Sequence, residues 1–220
     1  MNNIVLIAIE TIVCYLMLIL LYKKFKTDGV YVFAIIATLM SCILNLKQIN
    51  IISATVPLGF GVTTSIIIGG NLITQKRGPE ELTTYIILVL VTALLSCCFL
   101  NLTGLMESSI YNEAANESYN RIFKYNLRIY IGLIISLILC IWLSGKIYHL
   151  LKRMQNKIII SNIFTVVIIE LLENVIFVLI AYLFEYDAIN IILCLIFRYM
   201  IKTIVGVFGT IPLYIANKIK

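Results

Sequence analysis

Residues 158–202 read IIISNIFTVVIIELLENVIFVLIAYLFEYDAINIILCLIFRYMIK. Two apolar runs flank a short polar break at 184–187, and each is long enough to cross a bilayer as a helix of about 20 residues. Four charges interrupt them: Glu170 and Glu173 in the first run, Arg198 and Lys202 in the second. A charge at the bilayer centre costs roughly 2.5–3.5 kcal/mol on insertion scales, so such residues turn inward and pair. Glu170 and Glu173 stand at i and i+3, Arg198 and Lys202 at i and i+4, and each pair therefore shares one helix face. Counted inward from the break, Glu173 lies level with Arg198, and Glu170 with Lys202. At about 1.5 Å rise per residue, an error of one or two positions moves these levels by only about 3 Å. The expectation is two acid–base pairs stacked between antiparallel neighbours. They would line a polar cavity or, on the alternative reading, simply tie two helices together.

The rest of the chain extends the same pattern. Of 220 residues, 61% are apolar and only 13% charged, and the mean hydropathy is +1.03. Soluble domains carry about 45–50% apolar and about 25% charged residues. This composition excludes a soluble globular domain, a disordered chain, a coiled coil and a disulfide-stapled secreted fold. An all-α polytopic membrane bundle of six to seven transmembrane helices remains, one domain over 1–220. The expected spans are 4–22, 29–46, 51–73, 82–105, 128–148, 158–183 and 188–216. The first lacks a basic leader and a small-residue cleavage pattern, so it reads as a retained helix rather than a signal peptide. The polar stretch 106–126 is expected to carry a short interfacial helix.

The net charge of +6 comes from bases flanking apolar runs, which is positive-inside bias rather than a nucleic-acid surface. With the N-terminus outside, eleven bases (Lys23, Lys24, Lys26, Lys76, Arg77, Lys146, Lys152, Arg153, Lys157, Lys218, Lys220) fall on the cytoplasmic side. Four (Lys47, Arg121, Lys124, Arg128) fall opposite, beside the acids Glu107, Glu113, Glu117, Glu185 and Asp187. Asn101-Leu102-Thr103 and Asn116-Glu117-Ser118 match the glycosylation pattern, but a composition rich in Ile, Asn and Lys suits an AT-rich bacterial genome and makes these chance matches.

The third span, NIISATVPLGFGVTTSIIIGGNLITQKRG, contains Pro57, Gly59, Gly61, Gly69 and Gly70. Two readings stand: a broken helix lining a transport site, or small residues permitting close packing. Glu10 has no evident partner. The six cysteines all lie in apolar runs without C-x-x-C spacing, and the only histidine is His149. Neither a metal site nor a cofactor is expected. An intramembrane protease would need Ser–His, metal or paired-Asp chemistry in the membrane. The chain offers no such set, so an enzyme is not expected.

The segments VPLGF, NLITQKRGPEE and FRYMIKTIVGVFGTIPLYIANKIK resemble the VUT family of bacterial vitamin-uptake-type transporters, the queuosine precursor transporter family. YIGLIISLILCIWLSGKIYHLLK and ELLENVIFVLIAYL are similar to its middle. The resemblance runs from about residue 30 onward, and its most specific parts are Q-K-R-G after the third span and R-x-x-x-K…P-L-Y in the last. It implies a compact helical bundle in the inner membrane that imports 7-deazaguanines such as preQ0, preQ1 or queuine. The family pattern D-x-x-x-E-x-Y-G meets Asn71, Gln75 and Arg77 here, amides replacing both acids. The fifth-helix acid falls near Ser144 or Gly145, the sixth-helix acid on Glu173, the family lysine on Lys202, and Gly209-Thr210-Ile211-Pro212 replaces D-T-P. The chain therefore reads as a divergent member.

The expected substrate-binding residues are Asn71, Gln75, Glu170, Glu173, Arg198 and Lys202. The amides would hydrogen-bond the solute, the acids would take its donor edge, and the bases would hold those acids or an anionic group. Phe60 and Tyr199 are the aromatics that would stack on a ring, if they do not face lipid. The expected partners are a small-molecule solute and the lipid bilayer. ATP would act only through energy-coupling partner subunits, as for the substrate-binding subunit of an energy-coupling-factor transporter. The competing reading is a non-transporting membrane scaffold or sensor.

Overall fold

The computed structural model describes residues 3–51, 54–106, 111, 113–123, 126–155 and 157–219, and leaves the side chains of 113–115 and 121 undescribed. The charges expected at Glu107, Lys124 and Lys220, and the side chains of Glu113 and Arg121, lie outside the described set.

The chain opens with α1 (Asn3–Leu44), two helical arms joined at Lys26, whose backbone (φ 54, ψ −135) is not helical. The arms fold back on each other. Gly29 sits so close to Leu21 that a Cβ would meet the Leu21 carbonyl oxygen at 2.2 Å, and Asn3 donates to the carbonyl of Asn50 at 2.9 Å. The two spans expected at 4–22 and 29–46 are thus a helical hairpin with a one-residue break.

The third span begins differently from the expectation at 51–73. Residues 48–57 form an antiparallel hairpin, β1 (Gln48–Ile51) and β2 (Ala54–Pro57), in register Ile49↔Val56. Pro57 ends β2 rather than kinking a helix, which suits a residue with no amide to donate to a ladder. Gly59, with φ 102, turns the chain into α2 (Phe60–Arg77). That helix is unbroken, and at about 1.5 Å per residue it reaches about 27 Å.

The later elements follow the expected spans closely. They are α3 (Leu82–Leu105), α4 (Glu113–Phe123), α5 (Leu127–Gln155), α6 (Ile158–Tyr182), α7 (Ala188–Phe208) and α8 (Thr210–Lys218). The helix α4 is the short one expected in 106–126. The stretches Asn3–Leu44, Leu82–Leu105, Leu127–Gln155, Ile158–Tyr182 and Ala188–Lys218 are long and apolar enough to cross a membrane. With two arms in α1, and α2 inside the bundle, the described residues form seven helical segments of bilayer length.

The least apolar of these segments is the most buried. Every residue of α2 from Phe60 to Thr74 is buried, whereas α1 shows Ile4, Ile9, Ile12, Leu16 and Leu20 outward. Lipid solvates leucine as well as a protein core does, so small residues that let helices approach decide the centre of the bundle. Gly61 packs against Thr11, and Gly206 packs against Val166 and Thr64. Gly69 leaves room for the hydroxyl of Tyr85, which donates to the Ile66 carbonyl at 2.6 Å.

The base-rich ends cluster at one side. Arg77 pairs with Asp28 at 3.8 Å, Lys76 lies over the ring of Tyr22, and Gln75 reaches the Leu213 carbonyl at 3.3 Å. The other side holds the β-hairpin and Arg128, which pairs with Glu185 at 3.7 Å.

Candidate functional site

The four membrane charges meet. Glu170, Glu173, Arg198 and Lys202 are each at most 1% exposed. Arg198 grips Glu173 in a fork, Nη1 to Oε2 at 2.9 Å and Nη2 to Oε1 at 3.1 Å, the planar two-point geometry that only Arg offers a carboxylate. Its Nη1 also donates to Asn174 Oδ1 at 3.0 Å, and its guanidinium lies 4.3 Å from the centre of the Phe177 ring. Asn174 donates in turn to the Leu195 carbonyl at 2.7 Å, which fixes α6 against α7. Lys202 Nζ meets Glu170 Oε2 at 2.8 Å and also bonds Glu173 Oε2.

The level-by-level pairing is therefore only part of the arrangement, because Glu173 serves both bases. Its Oε1 is also within 3.4 Å of the Ser136 hydroxyl on α5. Glu170 is much poorer in partners. It faces Lys202 alone among the bases, with Thr64 as its other polar neighbour, and neither contact is an aligned hydrogen bond. Two acids and two bases leave the group neutral. Neutrality limits the Born cost of burial, but the unfinished carboxylate remains an expensive feature for a purely structural tie.

Asn71 and Gln75 do not join this group. They sit further along α2, toward the base-rich end, and both engage α5. Ser144 donates to Asn71 Oδ1 at 2.7 Å, and Tyr148 to Gln75 Oε1 at 2.6 Å. Gln75 Nε2 reaches the Leu213 carbonyl and, at 3.4 Å, Asn217 Oδ1. Asn71 Nδ2 is buried without a partner.

The helix α5 links the two groups. Ser136, Cys140, Ser144 and Tyr148 recur every four residues and are all buried. Ser136 touches Glu173, Cys140 lies within electrostatic reach of all four charges, Ser144 holds Asn71, and Tyr148 holds Gln75. Four steps on from Tyr148, Lys152 lines a cavity of about 310 Å³ with Thr74, Gln75, Gly78, Tyr148, His149 and Arg153. A polar file thus descends from the ionic group to a hollow at the base-rich end.

Further polar groups were not anticipated from the sequence. Asn162 on α6 donates to the Gly206 carbonyl at 3.2 Å and to Thr210 Oγ1 at 2.9 Å. It satisfies backbone that is freed where α7 breaks into α8, and irregular backbone inside a membrane needs such partners. Asn162 Oδ1 remains unpartnered, and Thr64 Oγ1 lies beside Glu170. Asn162, Asn174 and Ser136 are readable from the sequence as polar residues inside apolar runs. Glu10 finds its reason in α2: it accepts from the backbone of Val62, one of the amides that a helix N-terminus leaves without a partner. Phe60 is buried, and the Tyr199 hydroxyl donates to the Val167 carbonyl at 3.2 Å.

A family model described as "Putative vitamin uptake transporter" matches residues 57–216. The chain belongs to that family. It is also 23% identical, over 215 residues, to a protein of Bacillus subtilis (strain 168) described as "Probable queuosine precursor transporter", covering 94% of this chain and 91% of that protein. No solved structure matches. Family membership and the apolar helices make this a multi-pass membrane protein of a transporter family, whose ligand is a small-molecule solute.

Proposed function

We propose that the protein carries a 7-deazaguanine queuosine precursor, such as preQ0, preQ1 or queuine, into the cell, with the N-terminus outside and the C-terminus in the cytoplasm. The observation that carries this reading is the unfinished carboxylate of Glu170 in a buried, neutral group of four charges. A guanine-like edge presents N–H donors, and a carboxylate takes such donors by charge-assisted hydrogen bonds. Glu170 and Glu173 receive that edge, Arg198 and Lys202 hold the acids, and Asn71 and Gln75 offer amide contacts further along the route. The buried and unpartnered Asn71 Nδ2 and Asn162 Oδ1 supply sites that a passing solute can bond in turn. Movement is alternating access around the ionic group.

The test is uptake of labelled preQ1 in cells that lack their own permease, comparing wild type with Glu173→Gln and Lys202→Met. Wild-type uptake lost in both variants supports the assignment. Uptake that both variants leave intact overturns the site. No uptake of any 7-deazaguanine by wild type overturns the substrate and favours a scaffold.

A further inference from the structure

The cavity at the base-rich end carries charge that no acid among the described residues answers. Several of the other bases at that end have partners, and Lys23 and Lys157 are exposed. Arg77 pairs with Asp28. Lys24, Lys76, Lys146 and Lys218 lie over Phe25, Tyr22, Trp142 and Tyr214, at 5.3, 5.5, 3.6 and 4.7 Å from the ring centres. Lys152 and Arg153 differ. Among the described residues neither has an acid or an aromatic ring as partner, and both line the hollow of about 310 Å³ between α2 and α5. Among the described residues no acid lines that hollow, and Lys76 adds a further positive charge beside Lys152.

Bases in a last helical turn offset the negative end of the helix dipole, and that accounts for charge at the tips of α2 and α5. It does not account for a concavity. His149, Lys152 and Arg153 stand at i, i+3 and i+4, so α5 turns all three toward one side. Opposite them α2 contributes Thr74 and Gln75 and ends at Gly78. Basic side chains around an open-sided hollow, with net positive charge and no acid in its lining among the described residues, form a site for a tetrahedral oxyanion.

We infer that this cavity binds a phosphate group, that of an anionic phospholipid headgroup. Its level in the membrane favours lipid over a free ion. Trp142 and Tyr214 are exposed near the same end, where aromatic side chains mark the headgroup layer. Basic pockets between helices on the cytoplasmic side are a recurrent form of headgroup recognition. The site is distinct from the ionic group of α6 and α7, and it stands whether or not the solute is a 7-deazaguanine.

The experiment uses the whole protein in nanodiscs of phosphatidylcholine, read by thermal unfolding, with phosphatidylglycerol added in steps in one arm and inorganic phosphate in the other. Lys152→Gln/Arg153→Gln removes the cavity charges, and Lys146→Gln/Lys218→Gln removes two bases of the same end outside it. The expected result is stabilisation by phosphatidylglycerol whose half-point rises at least about tenfold in the cavity variant only. Stabilisation by inorganic phosphate, lost in the same variant, keeps the phosphate site and changes its source. An equal loss in both variants, or no response to either ligand, overturns the proposal. Neither variant touches Glu170 or Glu173, so a failure here is separable from a failure of the transport reading.

Discussion

Arg198 holds Glu173 by two parallel hydrogen bonds, 2.9 and 3.1 Å long, and both residues are buried away from lipid. Glu170, one helical turn away, has Lys202 as its one base and Thr64 as its other polar neighbour among the described residues. Two carboxylates on one helix face therefore have unequal duties.

Glu173→Gln leaves Arg198 and Lys202 short of a counter-charge. Breaking a buried pair on one side costs about 3–5 kcal/mol, which lowers the thermal midpoint in detergent by about 10 °C. Glu170→Gln removes a carboxylate that has no aligned hydrogen bond. It is expected to shift the midpoint by less than half as much while still abolishing solute uptake. Melting curves beside uptake rates check this, and equal destabilisation by the two variants would remove the distinction drawn here.

Ser144 donates to Asn71 at the positions where the resemblance puts family acids. Ser144→Ala leaves the Asn71 oxygen buried and unpaired, at a cost of about 1–3 kcal/mol. Asn71→Asp restores one acid, with Ser144 still in place to donate to it. It is expected to tighten binding of an aminated base relative to wild type, measured as competition in the uptake assay.

At the α1 turn, Gly29 leaves no room for a side chain, since a Cβ would meet the Leu21 backbone oxygen. Gly29→Ala is expected to be more destabilising than Gly78→Ala, which has open space and pays only for a backbone (φ 94, ψ 170) that is essentially reserved for glycine, about 1–3 kcal/mol. Lys26→Gly relieves a non-glycine residue with φ 54 and is expected to raise the midpoint by a few degrees. Thermal melts of the three variants rank them directly.

The proposed orientation predicts that a fluorescent protein fused after the C-terminus matures in the cytoplasm. Alkaline phosphatase fused after Lys47, just before the β-hairpin, is expected to be active. The reverse pattern would invert the orientation argued from the bases.

Much of the architecture was legible because its determinants are local. The helix α3 occupies the expected 82–105, and α6 differs from its expectation by one residue. The pairing of α6 with α7 followed from helical period and rise alone. The polar series Ser136, Cys140, Ser144 and Tyr148 was equally visible, but uncharged side chains carry too weak an insertion penalty to stand out. The β-hairpin at 48–57 was hidden because a short apolar strand and the start of an apolar helix look alike over so few residues.

The amino-acid sequence alone determined that this chain lives in lipid, where its helices run, and at what depth its charges lie. Those properties depend on hydropathy and on a fixed rise per residue, both additive along the chain. Only the tertiary structure decided that α2 is central, that Glu173 serves two bases, and that Asn71 and Gln75 stand apart from the ionic group. In a bilayer apolar residues are at ease both in the core and against the lipid, so hydropathy does not sort inside from outside. That sorting falls to small residues and unpaired polar atoms, whose effect exists only once helices distant in the chain come into contact.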